Sequence, residues 1–124
     1  MNEVAGVLIR QGDEFVLQHR DDIPTIAEPG MIGPWGGLIE PEDNTPQDAA
    51  ARELLEETGV ETDKNNLIHL ISYETTAKTP KNFGKPIVVH LYLLDLDNDV
   101  TVHCYEGQEV FRAKTINDVP ETKQ

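Results

Sequence analysis

GGLIEPEDNTPQDAAARELLEETGV, residues 36–60, runs from a glycine pair through an acidic turn into the strongest helical signal of the chain. Thr45 can cap that helix. Pro46 suits the first helical position, where no N–H is lost, and Asp48 three residues after Thr45 makes a capping-box variant. Ala49, Ala50, Ala51, Leu54 and Leu55 favour helix, and the two leucines are expected to pin it to a core. Gly59 ends it in a left-handed conformation. Glu53, Glu56 and Glu57 stand at i, i+3 and i+4, so their carboxylates project from one face. Like charges at that spacing cost an isolated helix about a few tenths of a kcal/mol per pair. Arg52, four residues from both Asp48 and Glu56, relieves part of this.

Outward from this segment the pattern turns to strands. Residues 4–9 and 14–19 are apolar runs joined by the turn Gln11-Gly12-Asp13. Residues 20–35 carry Pro24, Pro29, Gly30, Gly33 and Pro34 and read as a long loop, a length that is usually functional or disordered. Trp35 to Ile39 reads as a short strand with close backbone approaches. Residues 67–75, 86–96, 100–103 and 109–115 read as further strands. The order is strands, one helix, then strands. It predicts a mixed α+β layered domain over residues 1–124, not a repeating βαβ unit.

Composition narrows the function. Of 124 residues, 23 are acidic and 10 basic, a net charge of −13. That argues against a nucleic-acid polymer as partner, which needs Lys and Arg to displace counterions, and against anionic lipid. It suits a surface that concentrates divalent cations, and equally a merely solvated acidic surface. The single cysteine, Cys104, excludes an internal disulfide framework and multi-cysteine zinc sites, and reads as a half-buried small apolar residue. No apolar run approaches the roughly 20 residues that span a bilayer. The N-terminal MNEVAGVLIR carries an acid where a secretory signal carries positive charge, so a cytoplasmic location is expected.

The triplet Glu53, Glu56, Glu57 is either a solvated acidic face or an ion site. The glycine pair Gly36-Gly37 and Glu40 just upstream bear on the choice, because glycine lets main-chain carbonyls approach a bound ion. Hard oxygens without nearby Cys or His select Mg²⁺ or Mn²⁺ over Zn²⁺.

Residues 36–60 resemble the signature of the Nudix hydrolases, G-x5-E-x7-R-E-U-x-E-E-x-G-U with U a bulky aliphatic. Arg52-Glu53-Leu54, Glu56-Glu57 and Gly59-Val60 match every fixed position of its second half. The resemblance implies an α/β/α sandwich around a mixed sheet. Two departures stand out. Gly37 and Arg52 are separated by 14 residues where the family has 13, and the acid after x5 is Asp43 in place of glutamate. An inserted residue, a somewhat altered loop and a retained metal site are therefore expected. In relatives a segment like Glu106-Gly107-Gln108-Glu109-Val110-Phe111 leads to a C-terminal helix. Here Val119-Pro120-Glu121 is followed closely by Gln124, so that helix is expected to be short or missing. A second copy of the chain, as a homodimer, is a candidate cover for the exposed sheet face.

The family cleaves a nucleoside diphosphate linked to another group by attack of water on phosphorus, with Mg²⁺ neutralising charge. By resemblance, Glu53, Glu56 and Glu57 ligate metal, the Gly37 carbonyl is a further candidate, and Glu40 contacts metal or orients Arg52. Arg52 orients a carboxylate. Glu106 resembles an extra metal ligand or general base of some relatives, against its reading as a surface acid. The general base stays open among Glu53, Glu56 and Glu106. Arg20 is a candidate phosphate contact. Trp35 is a core residue or borders a base pocket, and Tyr73, Phe83 and Phe111 either stack on a base or simply pack. His19, His69, His90 and His103 are scattered, without metal spacing. The resulting expectation is a Mg²⁺- or Mn²⁺-dependent hydrolase that cleaves a pyrophosphate bond in a small nucleotide or nucleoside diphosphate derivative. The alternative is a Nudix-fold nucleotide-binding or regulatory module without turnover. An isomerase on the same fold would need a positioned cysteine, and Cys104 lies late in the chain.

Overall fold

A computed structural model describes residues 2–124. Strand β1 (Asn2–Gln11) is its spine. Gly12 at φ +62° turns the chain in two residues, so that Gln11 faces Glu14 and β2 (Glu14–His19) runs back antiparallel. A short β3 (Ile32–Gly33) and β4 (Trp35–Leu38) follow. After the helix α1 (Pro46–Thr58) come β5 (Ile68–Thr76), β6 (Pro86–Asp95) and β7 (Glu109–Ala113). The sheet has seven strands in the path β3-β2-β1-β6-β5, with β4 added on β1 and β7 on β2. β6 lies parallel to β1 along nearly its whole length, Asn2 opposite Ile87 and Arg10 opposite Asp95. β2 and β4 share the other edge: β4 pairs with Val4 to Val7, and β2 with Ile9 to Gln11. The sheet is therefore mixed, as expected.

Alternation along β1 sorts its side chains to two faces. Ala5, Val7 and Ile9 join Trp35, Ala49, Ala50, Leu54, Tyr92 and Leu94 in the core beneath α1. Leu8 faces the other way, toward Leu17, Ile32, Ala113 and Val119. Two 3₁₀ turns, Ile116–Asp118 and Glu121–Lys123, stand where a C-terminal helix was expected to be short or missing, and Val119 between them packs on that second face. Trp35 is wholly buried, and its indole N–H donates to the Val16 carbonyl at 3.0 Å. Trp35→Ala should cost about 3–5 kcal/mol, the range for emptying an aromatic site in a core. Urea unfolding would measure it; a loss under about 1 kcal/mol would contradict this packing.

Three expectations need correction. Residues 100–103 form no strand: the His103 and Tyr105 N–H groups donate to the carbonyls of Thr58 and Glu57, so the C-terminal end of α1 takes up this segment's hydrogen bonds. Leu55 does not pin the helix. It is 48 % exposed while Leu54 is fully buried, because the inward stripe runs Ala50, Leu54, Glu57 at helical spacing. The capping box is incomplete. The Thr45 hydroxyl accepts the Asp48 N–H at 3.2 Å, but the Asp48 carboxylate turns onto that same hydroxyl, not onto the Thr45 backbone.

Candidate metal and phosphate site

The inward stripe of α1 ends on a carboxylate. Glu57 occupies a position that helical periodicity assigns to the core, and it is 2 % exposed. Its Oε1 accepts the Gly36 N–H at 2.8 Å and its Oε2 lies 3.4 Å from Gln18 Nε2. One turn earlier, Glu53 lies against Gly37. A methyl group placed on Gly37 would stand 2.8 Å from the Glu53 carboxyl carbon, so only glycine leaves room for this carboxylate. The glycine pair and two of the three helix carboxylates thus form one cradle. Glu56, on the outward side of the turn, is 57 % exposed at its side chain.

Burial sets the electrostatics. Desolvation pushes the Glu57 carboxyl up to about 8, with the charges of Glu106 and Glu53 adding to it. Desolvation also raises Glu53, opposed by the Arg52 guanidinium. Glu106 is exposed, yet its charge reaches both. Its loop is tied down by Gln18, which donates to the Glu106 carbonyl at 2.8 Å. Sequence reading missed Gln18. The available signal was an amide at an inward position of β2, where it is 2 % exposed.

Arg52 organises the rim. It donates to Asp43 from Nε at 3.1 Å and from Nη2 at 2.9 Å, to the Leu38 carbonyl at 3.2 Å and to Glu53 Oε1 at 3.0 Å. The Asp43 hydrogen bond, first of all, raises the guanidinium, and Arg52 in turn holds Asp43 below the usual carboxylate range. Glu40 Oε1 is 3.7 Å from Arg52, and the Glu40 N–H donates to Asp43 Oδ2 at 2.8 Å. The loop departure is thereby explained. Aspartate is one methylene shorter than glutamate, and one additional backbone residue brings its carboxylate to the helix arginine. Asp43→Ala should remove the two-point hold on Arg52, leaving its bonds to Leu38 and Glu53, and lower turnover by about 10- to 100-fold, the usual cost of removing a ligand's supporting partner. Steady-state kinetics would test this, and full activity in the variant would contradict the supporting role.

The cradle suits a hard divalent cation. It offers carboxylate oxygens, and a buried carboxylate with no cationic side chain bonded to it is a group that a cation would stabilise. Among the described residues no three His, Cys, Asp or Glu side chains already converge at ligand spacing. Mg²⁺ does not need such a cage, because it commonly takes one or two carboxylates plus water and substrate phosphate. Glu53 and Glu57 are the carboxylates that could hold it, with Glu53 packed against the Gly37 backbone; Glu56, Glu40 and Glu106 stand on the rim.

The remaining candidates separate. Arg20 donates to the Ala27 carbonyl at 2.9 Å and to Gln18 Oε1 at 3.3 Å, so it ties the loop 20–31 to the floor of the site. Trp35 lies in the core beneath the cradle and does not line a base pocket. Phe111 packs on the second face, while Tyr73 and Phe83 are 45 % and 77 % exposed. The Cys104 thiol is raised by burial and bonds the Glu106 carbonyl at 3.3 Å, which suits a packed thiol better than a nucleophile. His69 and His90 meet through the Ser72 hydroxyl, and His90 Nε2 reaches Glu3 at 2.8 Å.

The fold and the chain's sequence are similar to known proteins. A model of the NUDIX domain matches residues 2–123. Among solved structures, a MutT NUDIX hydrolase from Burkholderia pseudomallei aligns with a TM-score of 0.76 at 19 % identity, over 97 % of this chain and 87 % of that one. A Caenorhabditis elegans Ap4A hydrolase in a binary complex aligns at 0.69 and 24 % identity, over 91 % and 80 %. A MutT/nudix family protein from Enterococcus faecalis aligns at 0.70 and 20 % identity over 90 % of this chain, which spans 42 % of that protein's length. No curated protein matches the chain in sequence. The carboxylate helix set over a glycine-pair strand is the local counterpart of the match over residues 2–123, and the chain belongs to the NUDIX domain family.

Proposed function

We propose that the protein is a divalent-metal-dependent Nudix hydrolase that cleaves a pyrophosphate bond in a nucleotide or nucleoside diphosphate derivative. The observation that carries this is the convergence of Glu53 and Glu57 on Gly36 and Gly37, held by Arg52 from the rim. Bound there, Mg²⁺ or Mn²⁺ would neutralise phosphoryl charge and acidify a water molecule. The chain's own residues do the rest. Glu57 fixes the strand to the helix through the Gly36 N–H, Gln18 holds the Glu106 loop against the cradle, and Arg52 orients Glu53. Glu106 and Glu56 stand exposed on the rim, Glu56 within 3.5 Å of the Arg52 guanidinium, and either would be placed to take a proton from water as a general base. The relatives named as MutT hydrolases and an Ap4A hydrolase favour small nucleotides as substrates. The Asp43–Arg52 pair supports the hydrolase over the binding module, because the helix arginine keeps a carboxylate partner despite the inserted residue and the absent glutamate.

The test is turnover of a nucleotide panel with Mg²⁺ or Mn²⁺, products read by mass spectrometry. It should include canonical and oxidised triphosphates, nucleotide sugars, ADP-ribose and dinucleoside polyphosphates. Cleavage that requires the metal is the expected result. Silence across the panel, with nucleotides still raising the melting temperature, would replace the hydrolase by the binding module.

A further inference from the structure

We propose that Ser72, His90 and Glu3 form a second catalytic site, in which the Ser72 hydroxyl takes the acyl group of a small carboxylic ester. The site is separate from the Glu53–Glu57 cradle and does not depend on the hydrolase reading.

The three residues come from three neighbouring strands. Ser72 on β5 lies directly opposite His90 on β6, and Glu3 on β1 lies opposite Val88, two residues before His90. Side chains of an opposed pair stand about 5 Å apart at Cβ, so the near ring nitrogen of the histidine is the one that meets the serine. The Ser72 hydroxyl is 2.7 Å from His90 Nδ1. The far nitrogen points across to the next strand, where His90 Nε2 stands 2.8 Å from Glu3 Oε1. A carboxylate only accepts, so in the neutral ring Nε2 carries the hydrogen and Nδ1 offers its lone pair to the hydroxyl. Nucleophile, base and orienting carboxylate are thus in hydrogen-bond sequence, the arrangement that activates a serine on unrelated folds. Relative to the serine-protease order the two ring nitrogens are exchanged, which leaves their roles intact.

A β-bulge completes the site. Residues three apart on a regular strand face opposite sides. On β5 the register slips between His69 and Ile71, so His69 opposes Tyr92 while Ser72 opposes His90. Tyr92 and His90 are two apart on β6 and share a face, and so therefore do His69 and Ser72. His69 Nε2 comes within 2.8 Å of the Ser72 hydroxyl as a result. With the hydroxyl proton directed at His90, His69 is the donor of that pair. Its N–H stands beside the nucleophile, where it can shift onto the ester carbonyl oxygen as negative charge develops there. The His69 ring rests against Tyr92, with centroids 5.5 Å apart. Bulges recur beside active sites because they re-aim a side chain in this way.

Access and shielding are divided as the chemistry needs. Ser72 is exposed, whereas the His90 side chain is 16 % exposed. Gly37, Ala5, His90 and Ser72 stand in one row across four strands, which puts the hydroxyl about 14 Å from the cradle. In the first step the Ser72 oxygen bonds to the ester carbonyl carbon and its proton moves to His90 Nδ1. The ester carbon–oxygen bond then breaks, and the departing alcohol takes that proton. Water, deprotonated by the same nitrogen, releases the acid and restores the hydroxyl.

Ser72 is the only serine of the chain, so a serine-directed reagent has one target. The experiment treats the protein with a fluorophosphonate, whose phosphorus bonds to the serine oxygen as fluoride leaves, and maps the adduct by peptide mass. Wild type should be labelled at Ser72, and Ser72→Ala should lose the adduct. His90→Gln should slow labelling by about 100-fold, the lower end of what a general base contributes, and Glu3→Gln by about tenfold or more. In parallel, p-nitrophenyl acetate should release a burst of about one equivalent of p-nitrophenolate from wild type and none from Ser72→Ala. An unlabelled Ser72 in wild type overturns the site. So does labelling of His90→Gln at the wild-type rate, which would mean an exposed hydroxyl without a base. Should His90→Gln fail to fold, Glu3→Gln decides, because Glu3 is exposed. Metal-dependent turnover of nucleotides should be unchanged in Ser72→Ala, so failure at either site leaves the other standing.

Discussion

Glu57→Gln is expected to lower turnover by more than about 100-fold, beyond the loss typical of a merely supporting group, and to make the metal-free protein more stable at pH 8. The two effects share a cause. Glu57 is buried with its carboxyl pushed up to about 8 from an ordinary 4.5. Between those values the unfolded chain has already released this proton while the folded chain keeps it. The unfolded state therefore binds fewer protons, and stability falls as pH rises through that window. Glutamine keeps the shape and the acceptor for the Gly36 N–H but never ionises, so the variant should lack this slope. Millimolar Mg²⁺ or Mn²⁺ should raise the wild-type melting temperature by mass action. The rise should be larger at pH 8 than at pH 6, because the cation displaces a proton that is harder to remove at lower pH. The variant should lose most of it. Thermal melts at several pH values, with and without the ion, are sufficient; coincident curves for the two proteins would refute the assignment of Glu57 to the cradle.

Alanine at the two adjacent glycines should separate folding from function. Gly36 has φ +148°, and a methyl group there would run into the Ala5 carbonyl oxygen of the neighbouring strand. Neither backbone can yield without breaking the β1–β4 ladder, so Gly36→Ala should cost about 3 kcal/mol or more. At Gly37 the obstacle is the tip of the Glu53 side chain, which can rotate away. Gly37→Ala should therefore change stability by less than about 1 kcal/mol yet reduce kcat by about 100-fold, since a displacement near 1 Å at a reacting centre has that effect. Denaturant unfolding paired with kinetics reads both. A fully active Gly37→Ala would show that Glu53 is not held where it is needed.

What was legible in the sequence follows from what is local. The helix from Pro46 to Thr58, its Thr45 cap and its Gly59 stop depend on neighbours within four residues, and the structure has them, the capping box aside. Most strands were legible as elements, and the mixed sheet was expected only through the resemblance of residues 36–60 to the family signature. Spacing alone placed Glu53, Glu56 and Glu57 on one side of the helix, but could not rank them. Glu57 is buried and Glu56 exposed because β4 lies under one and not the other. Counting along the chain also misjudged Asp43, which appeared displaced by the insertion and yet pairs with Arg52 through space. Gln18 was not legible, because its partners Glu57 and Glu106 are 39 and 88 residues away. Residues 100–103 look like a strand by composition and become a strap because the end of α1 offers carbonyls first.

The parallel pairing of β1 with β6 has a consequence for how the molecule is made. β2 and β4 can zip onto one edge of β1 as soon as residues 2–38 are free to pair. The opposite edge, from Asn2 to Arg10, has no partner until residues 87–95 have left the ribosome. During that interval the nascent protein exposes an apolar strand edge that invites pairing with other chains. Closure of that ladder joins residues 85 apart, and with the β2–β7 pairing of residues 90 to 98 apart it should set the folding rate.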